Sequence, residues 1–361
     1  MDYRARRHQA YEQATALGVQ ALLITNPPDV RYLTGFTGSN AAVVLTSRAT
    51  TLFTDGRYTT QAKQETRGVR IVIAKKSALV EACAATATPS IKACGFDADR
   101  TTVSQLDAMR RAIPASRRRT FFVKTPPLVA RLRETKDPDE QAKIRRAAQL
   151  GCRLFENLLP HIQPGMRETE VAAHLEYRAR TSGASAMSFS TIVAAGPRSA
   201  LPHGEASTAR IPAHGFVVLD FGVILDGYCS DMTRTVHVGR VQKDEQAAYE
   251  AVLEAQESAV AAVRAGVSCG DVDEAARSVL RRRKLARYFT HSTGHGVGIE
   301  IHEGPRIAAQ QKQRLELGMI ITIEPGIYIG GKFGIRIEDM VRVTEKGSEI
   351  LTPATKALIT L

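Results

Sequence analysis

The sequence predicts an α+β protein of two domains, and three observations carry that reading. Over the first third, short β-prone runs alternate with helical stretches until Thr125-Pro126-Pro127 interrupts the pattern. Over the remainder, helices alternate with apolar β runs, several of which contain a carboxylate. That remainder also holds an internal echo. Gly165-Met-Arg-Glu-Thr-Glu-Val171 and Gly266-Val-Ser-Cys-Gly-Asp-Val272 share a glycine and a later acid–valine pair, each after one helix and opening another. A chain of 361 residues has room for two hydrophobic cores.

Taken in order, Ala21–Ile24, Ala41–Leu45, Thr51–Thr54 and Val69–Ile73 read as strands from their β-branched and apolar content. Leu106–Ile113 reads as part of a helix. The Pro-Pro pair removes two backbone donors and marks a linker, giving a first domain over 1–126 and a second over 127–361. Asp137-Pro138-Asp139-Glu140 has the form of a helix start: a capping acid, proline at the first position and a further acid at the third. Ile144, Ala148, Cys152, Phe155 and Leu159 then recur at helical spacing. Asp226-Gly227 is a two-residue hairpin signal between β-prone runs. Its register sets Leu225 opposite Tyr228 and Asp220 opposite Thr233.

Composition excludes several classes. The amino terminus, Met-Asp-Tyr-Arg-Ala-Arg-Arg-His, lacks an apolar signal core. No apolar run approaches the ~18–20 residues of a membrane span. The five cysteines, Cys83, Cys94, Cys152, Cys229 and Cys269, form no CxxC pair and read as reduced residues of a cytoplasmic protein. A net charge of +12 invites a nucleic-acid reading, with Arg117–Arg119 and Arg281–Lys284 as the densest runs. The second run ends a helix, where cations complement the dipole. Neither interleaves with stacking aromatics and the chain has no Trp, so no nucleic-acid partner is expected.

The chemistry concentrates in five residues: Asp220, Asp231, His295, Glu324 and Glu338. Asp231 shares the face of Asp220 as its diagonal neighbour across the hairpin, about 7–8 Å away. Two carboxylates brought closer would repel, and a cation relieves that repulsion. Glu324 interrupts the apolar run Met319–Ile329, and Glu338 interrupts Gly334–Val343. An acid buried in such a run is costly unless it is paired or binds metal. His295 lies in the glycine-rich His291–Gly298, where the backbone can crowd a site. The spacing Gly294 to Gly298 has no strand-then-helix context, so it does not read as a nucleotide loop. The five residues read as a two-metal hydrolase centre. Its carboxylate-rich set favours a hard ion such as Mn²⁺, with Co²⁺ or Zn²⁺ able to occupy it.

Several segments together resemble the pita-bread metallopeptidases, in particular the proline-specific branch of prolidase and aminopeptidase P. They are Leu201-Pro-His-Gly204, Leu219-Asp-Phe-Gly222, Ser230-Asp-Met-Thr-Arg-Thr235, His291–Gly298, Ile301-His-Glu-Gly-Pro-Arg306, Ile323-Glu-Pro-Gly326 and Arg336-Ile-Glu-Asp339. The resemblance implies a pita-bread catalytic domain of two related α/β halves behind a smaller creatinase-like α/β domain. It implies that Asp220 binds one metal and His295 the other, with Asp231, Glu324 and Glu338 shared.

By the same resemblance Glu324 shuttles a proton, and His203 and His302 position the scissile carbonyl or stabilise the tetrahedral intermediate. His291 contacts substrate and Arg306 meets a terminal carboxylate. Arg336, counted with the substrate-binding residues, orients carboxylates from the face it shares with Glu338. Thr233 is expected to hold Asp220, and Phe189 and Tyr328 to flank a proline ring. The implied activity is hydrolysis of Xaa-Pro bonds in small peptides with proline second. Compact length and Arg306 favour a dipeptidase over an aminopeptidase acting on longer chains. Two alternatives, a non-catalytic pita-bread binding protein and a creatinase-like amidinohydrolase, sit poorly with five retained ligands. A homodimer is also implied, with Tyr32 or Arg57 closing the partner's site.

Overall fold

The computed structural model describes residues 1–361 and divides into two compact units, Met1–Arg133 and Glu134–Leu361.

The first unit is built on one mixed sheet. Its strands are β1 (Ala21–Ile24), β2 (Ala41–Thr46), β3 (Thr50–Thr54), β4 (Arg70–Ile73), β5 (Cys94–Asp97) and β6 (Phe122–Thr125). They lie in the order β4-β3-β2-β1-β5-β6, with antiparallel pairs β1–β2 and β2–β3 and parallel pairs elsewhere. Helices α1 (Tyr3–Ala16), α2 (Pro27–Thr34), α3 (Thr59–Glu65), α4 (Ala78–Thr86) and α5 (Val103–Arg111) complete it. The four strands expected from sequence form within a residue of their anticipated ends. Strands β5 and β6 carried no alternation signal, and their parallel pairing is long-range.

The Pro126-Pro127 pair leads directly into helix α6 (Leu128–Glu134) rather than into a linker. Proline suits a helix start because the first N–H groups need no intrahelical partner. Arg133 on α6 pairs with Asp29 at 2.6 Å, both side chains at most 3% exposed. The division between units therefore falls after Arg133, not after residue 126. Tyr32 also departs from expectation. It is 4% exposed, its hydroxyl donates to the Leu132 carbonyl at 3.3 Å, and the Arg6 guanidinium lies 4.1 Å from its ring centre. It belongs to this unit's interior and has no surface with which to close a partner's site.

The second unit opens with α7 (Pro138–Leu158), capped by Asp137 and Glu140 in a reciprocal box as the sequence indicated. Helix α8 (Glu168–Thr181) follows. The first β region comprises β7 (Ala186–Met187), β8 (Ile192–Ala195), β9 (Gly215–Phe221), β10 (Val223–Leu225), β11 (Tyr228–Cys229) and β12 (Met232–Val238). After α9 (Lys243–Ala262) and α10 (Cys269–Arg282), the second comprises β13 (Gly294–Gly296), β14 (Glu303–Ile307), β15 (Ile320–Ile323), β16 (Gly326–Ile329), β17 (Phe333–Arg336), β18 (Asp339–Val343) and β19 (Ser348–Ile350). Helices α7 and α8 pack on one core with β8, β9 and β12, and α9 and α10 pack on another with β15 and β18.

The sequence echo runs deeper in three dimensions than in letters. Gly165 and Gly266 both adopt φ +86°, a left-handed value that glycine takes without side-chain strain. Their N–H groups donate to the carbonyls of Ile211 and Leu315, each at 2.8 Å. Their carbonyls accept from Arg210 at 2.6 Å and Arg314 at 2.5 Å. The same glycine turn therefore leads into α8 and α10, although only α10 has a side-chain cap, Ser268.

The hairpin register holds: Leu225 pairs with Tyr228 and Asp220 with Thr233. Asp226 and Gly227, at φ 51° and 75°, supply the two positive φ values of a type I′ turn. The expected long strands, however, are broken. The first hairpin divides at Gly222, so that β9 and β12 join β8 while β10 and β11 join β7. Met319–Ile329 divides at Glu324-Pro325 into β15 and β16, and Gly334–Val343 divides at Ile337-Glu338 into β17 and β18, in different sheets. Pro325 has no N–H for a ladder. Asp220 and Glu338, buried, and Glu324, half-buried, lie at or beside these breaks and line one cavity.

Candidate metal centre

The breaks create the site. Asp220 lies next to last in β9, Asp231 between β11 and β12, Glu324 between β15 and β16, and Glu338 between β17 and β18. His295 is the middle residue of β13. A cavity of about 690 Å³ is lined by all five, together with His203, His291, His302, Arg306 and Arg336. The five expected ligands and these five further residues thus surround one cavity. Phe189 also lines it.

Glycine lets β13 approach its neighbour. A Cβ on Gly294 would sit 1.9 Å from the Thr322 carbonyl oxygen. The His295 N–H then donates to Thr322 Oγ1 at 3.1 Å, and that hydroxyl lies 3.3 Å from Glu324 Oε1. His295 Nδ1 lies 3.0 Å from the Gly296 carbonyl, which can only accept. Nδ1 therefore carries the proton, and Nε2 turns a lone pair towards Asp231 at 3.6 Å and Glu324 at 3.4 Å. Burial pushes this imidazole down to about 4, so it is neutral at pH 7.

The carboxyls shift the other way. Burial, reinforced by the other acids, holds Asp231 and Glu338 well above the usual carboxylate range. Glu324 is pushed up to about 8, chiefly by burial, although Arg336 pulls it down. Asp220 Oδ1 and Glu338 Oε1 are buried without any hydrogen-bond partner. Donor atoms of Asp231, His295 and Glu338 lie within 4.8 Å of one another. Orphaned acidic oxygens, mutually repelling carboxyls and a converging imidazole lone pair fit divalent cations, which would lower those carboxyls by their charge.

Arg336, 3% exposed, braces the cluster. It donates to Asp220 Oδ2 at 2.5 Å, Thr233 Oγ1 at 3.1 Å, the Pro202 carbonyl at 3.0 Å and the Tyr328 hydroxyl at 2.7 Å. Thr233 in turn donates to Glu338 Oε2 at 2.8 Å. It supports Glu338, not Asp220 as expected, because Asp220 opposite it is already held by Arg336.

Tyr328 is a second revision. Its side chain is absent from the cavity lining. Its hydroxyl donates to His291 Nε2 at 2.9 Å, since His291 Nδ1 donates to the Ser292 carbonyl at 2.8 Å. Burial pushes the phenol up to about 12, so it keeps its proton. Tyr328 therefore links His291 to Arg336 instead of flanking substrate.

His203, His302 and Arg306 are exposed at the rim. The His302 ring meets His295 edge-on with centroids 4.5 Å apart, and Arg306 sits directly across the ladder from His295. Sequence reasoning missed the braces behind this wall. Arg277 on α10 donates to the His291 carbonyl at 2.6 Å and pairs with Asp273 at 2.7 Å, and Asp273 accepts from Thr293 Oγ1 at 2.7 Å. Their i,i+4 spacing on a helix was the available signal. Lys136 and Glu303 form an almost fully buried pair at 3.2 Å beside the cavity, with no local signal at all.

Such a donor set is that of a hydrolytic metal centre. The chain belongs to metallopeptidase family M24, whose model matches residues 142–345, and a creatinase/prolidase N-terminal domain matches residues 6–135. It is 38% identical over 346 residues, 96% of this chain and 97% of the relative, to uncharacterized peptidase YqhT of Bacillus subtilis (strain 168). A solved Xaa-Pro dipeptidase from Bacillus anthracis superposes with TM-score 0.95 at 38% identity, covering 100% of both chains. An X-Pro aminopeptidase from Thermotoga maritima MSB8 superposes with TM-score 0.88 at 36% identity, covering 97% of this chain and 100% of its own. The expected α+β architecture, a pita-bread unit behind a creatinase-like one, is the fold of this protein.

Proposed function

We propose that this protein is a dinuclear-metal Xaa-Pro dipeptidase acting on small peptides with proline second. The observation that carries the reading is the convergence, in one cavity, of the acidic cluster, two exposed histidines and an exposed arginine. Asp220, Asp231, His295, Glu324 and Glu338 would hold two divalent cations, preferably Mn²⁺, which when bound polarise the carbonyl and supply hydroxide near neutral pH.

The chain's own groups do the rest. Glu324, with one oxygen near Thr322 and His295, takes the proton of the attacking water and passes it to the leaving nitrogen. That nitrogen belongs to a tertiary amide with no N–H of its own, so the proton must be delivered. His302 and His203 meet the carbonyl oxygen as negative charge develops on it. Arg306 forms no ion pair with the chain's own acids and is free for the carboxylate one residue beyond the scissile bond. This favours dipeptides. Arg336 acts on substrate only through Asp220, Thr233 and Tyr328. His291, bonded at both nitrogens, presents a ring edge. A longer-peptide aminopeptidase is the second reading, favoured by the likeness to the Thermotoga enzyme.

No helix is long and apolar enough to cross a membrane, and all five cysteines are free and buried; we place the protein in the cytoplasm. We further assign a homodimer in which exposed Arg57 borders the partner's site, and a monomeric mass by light scattering would sink that assignment. Activity is tested with Mn²⁺-loaded protein on Ala-Pro, Ala-Pro-Ala and Ala-Ala. Preferential cleavage of Ala-Pro is expected. Preference for Ala-Pro-Ala assigns the aminopeptidase, and turnover of Ala-Ala alone overturns both.

A further inference from the structure

The strand pair that carries Asp220 and Asp231 towards one end carries a second cluster at the other. His214 precedes β9, His237 lies on β12 and Glu245 is the third residue of α9. His237 pairs with Phe216, and Thr233 with Asp220. Four residues of strand, roughly 13 Å, separate the two sites. Donor atoms of His214, His237 and Glu245 all lie within 4.8 Å of one another.

His237 is wholly buried. Its Nδ1 lies 2.9 Å from the Gly239 carbonyl, which can only accept, so Nδ1 bears the proton and Nε2 offers a lone pair. That Nε2 has no hydrogen-bond partner. It faces Glu245 Oε2 at 3.2 Å, lone pair towards lone pair with no proton between them. The other carboxylate oxygen is hydrogen-bonded to His214 Nε2 at 3.0 Å, a contact that a cation would replace, and the Gln242 side-chain amide nitrogen lies 3.4 Å from the same imidazole nitrogen. His214 is 43% exposed and opens the cluster to solvent. Glu245 Oε2 is fixed in place by the Gln242 N–H at 2.8 Å, as the cap of α9.

These separations suit ligands around one small cation. Tetrahedral coordination with bonds of 2.0–2.1 Å sets neighbouring donor atoms roughly 3.3 Å apart and off each other's lone-pair axes. An imidazole that hands its other N–H to a backbone carbonyl is the usual second contact of a metal-bound histidine. We propose that His214, His237 and Glu245 bind one divalent transition cation of the zinc class, at a site separate from the carboxylate-rich centre. Two imidazoles and one carboxylate select a softer ion than that centre does. The cation ties the cap of α9 to the ends of β9 and β12. It also secures residues 359–361, whose backbone pairs with His237 through Ile359 and Leu361 at 2.9 and 2.8 Å.

The test compares wild-type protein with His214→Ala and Glu245→Gln, each stripped by chelation, returned to zinc and counted for bound metal by mass spectrometry. Each variant is expected to hold one fewer zinc ion per chain and to lose part of the zinc-dependent rise in Tm. Hydrolysis of Ala-Pro by the Mn²⁺-loaded protein should be unchanged. Crystals of the wild type should give an anomalous zinc signal between His214 and His237. Equal zinc counts in all three proteins, or no such signal, overturn the proposal. A deficit of one ion is read as a difference, so it stands or falls independently of whether the other centre takes zinc or cleaves proline peptides. Circular dichroism of His214→Ala, altered at a half-exposed side chain, verifies that the fold is intact.

Discussion

Glu338 and Asp339 are adjacent in the chain and both almost wholly buried, at 2% and 0% exposure, yet their surroundings are opposite. Asp339 accepts from Arg234 at 2.8 Å and Thr352 at 3.1 Å on one oxygen, and from Gln256 and Lys356, each at 2.9 Å, on the other. Arg234 spends its remaining donors on carbonyls of Thr233, Glu338, Thr352, Ala354 and Thr355. Every charge there is answered. Glu338, facing the other way, has one oxygen held by Thr233 and the other unpartnered, among acids that repel it. A buried network with all its valences filled specifies structure, whereas one left short of positive charge is built for a ligand.

The largest effect expected on the open side is catalytic. Glu324→Gln should lower turnover of Ala-Pro by roughly 10²–10⁴-fold, the range of a lost general acid–base. The chelated variant should melt no lower than chelated wild type, because a repelling acid has gone. An unaffected rate would remove the proton shuttle. On the closed side the same kind of change should act on stability. Asp339→Asn removes the buried carboxylate that neutralises both Arg234 and Lys356 and should cost about 3–5 kcal/mol in urea unfolding, with or without Mn²⁺. A loss near zero would mean that the network is not the structural counterpart argued above.

Acidity sharpens the contrast. In cation-free protein Glu324 titrates near 8 against an ordinary 4.5, and Asp231 and Glu338 move the same way. The folded state thus retains protons that the unfolded chain has released, so stability should fall as pH rises from about 4.5 towards 8. Mn²⁺ should restore most at the alkaline end. Thermal melts in chelator across that window check the slope, and a rise with pH would contradict it. Chelation should also abolish hydrolysis, with Mn²⁺ returning it.

Smaller effects probe the edges of the two environments. Thr233→Val removes the one hydrogen bond on Glu338 and should cost about 1 kcal/mol, with a measurable fall in metal affinity by calorimetry. Arg145→Ala breaks a contact with Glu349 whose side chains are each 35% exposed; solvent screening should hold the loss below about 1 kcal/mol. Glu349 is held down to about 2 by Arg145 and then Arg342. That small contribution should therefore vanish only as pH drops from 4.5 towards 2.

Much of the site was legible in the sequence because its signals are local. A carboxylate in an apolar run, a type I′ turn pair and a glycine before a cap each announce themselves within a few residues. Asp220, Asp231, Glu324 and Glu338 could be read off in that way, and the register of Asp220 against Thr233 followed by counting from Asp226-Gly227. The α7 cap and the echo of Gly165 in Gly266 followed from the same short-range chemistry. The family motifs added His203, His291, His302 and Arg306 to the set.

What the sequence could not decide is what depends on partners far along the chain. Apolar runs at 319–329 and 334–343 look continuous because hydrophobicity does not record which sheet a strand joins; the breaks at Glu324 and Ile337-Glu338 arise only when the sheets diverge. Thr233 was assigned to its ladder partner Asp220, but Arg336 takes that carboxylate and leaves the hydroxyl to Glu338, more than a hundred residues away. Tyr32 and Tyr328 have the composition of contact residues and are buried by folding instead. The sequence by itself determined which chemical groups are present and the short segments that carry them. The tertiary structure alone decided which of the buried charges are answered and which remain open, because that depends on convergence of side chains from distant segments.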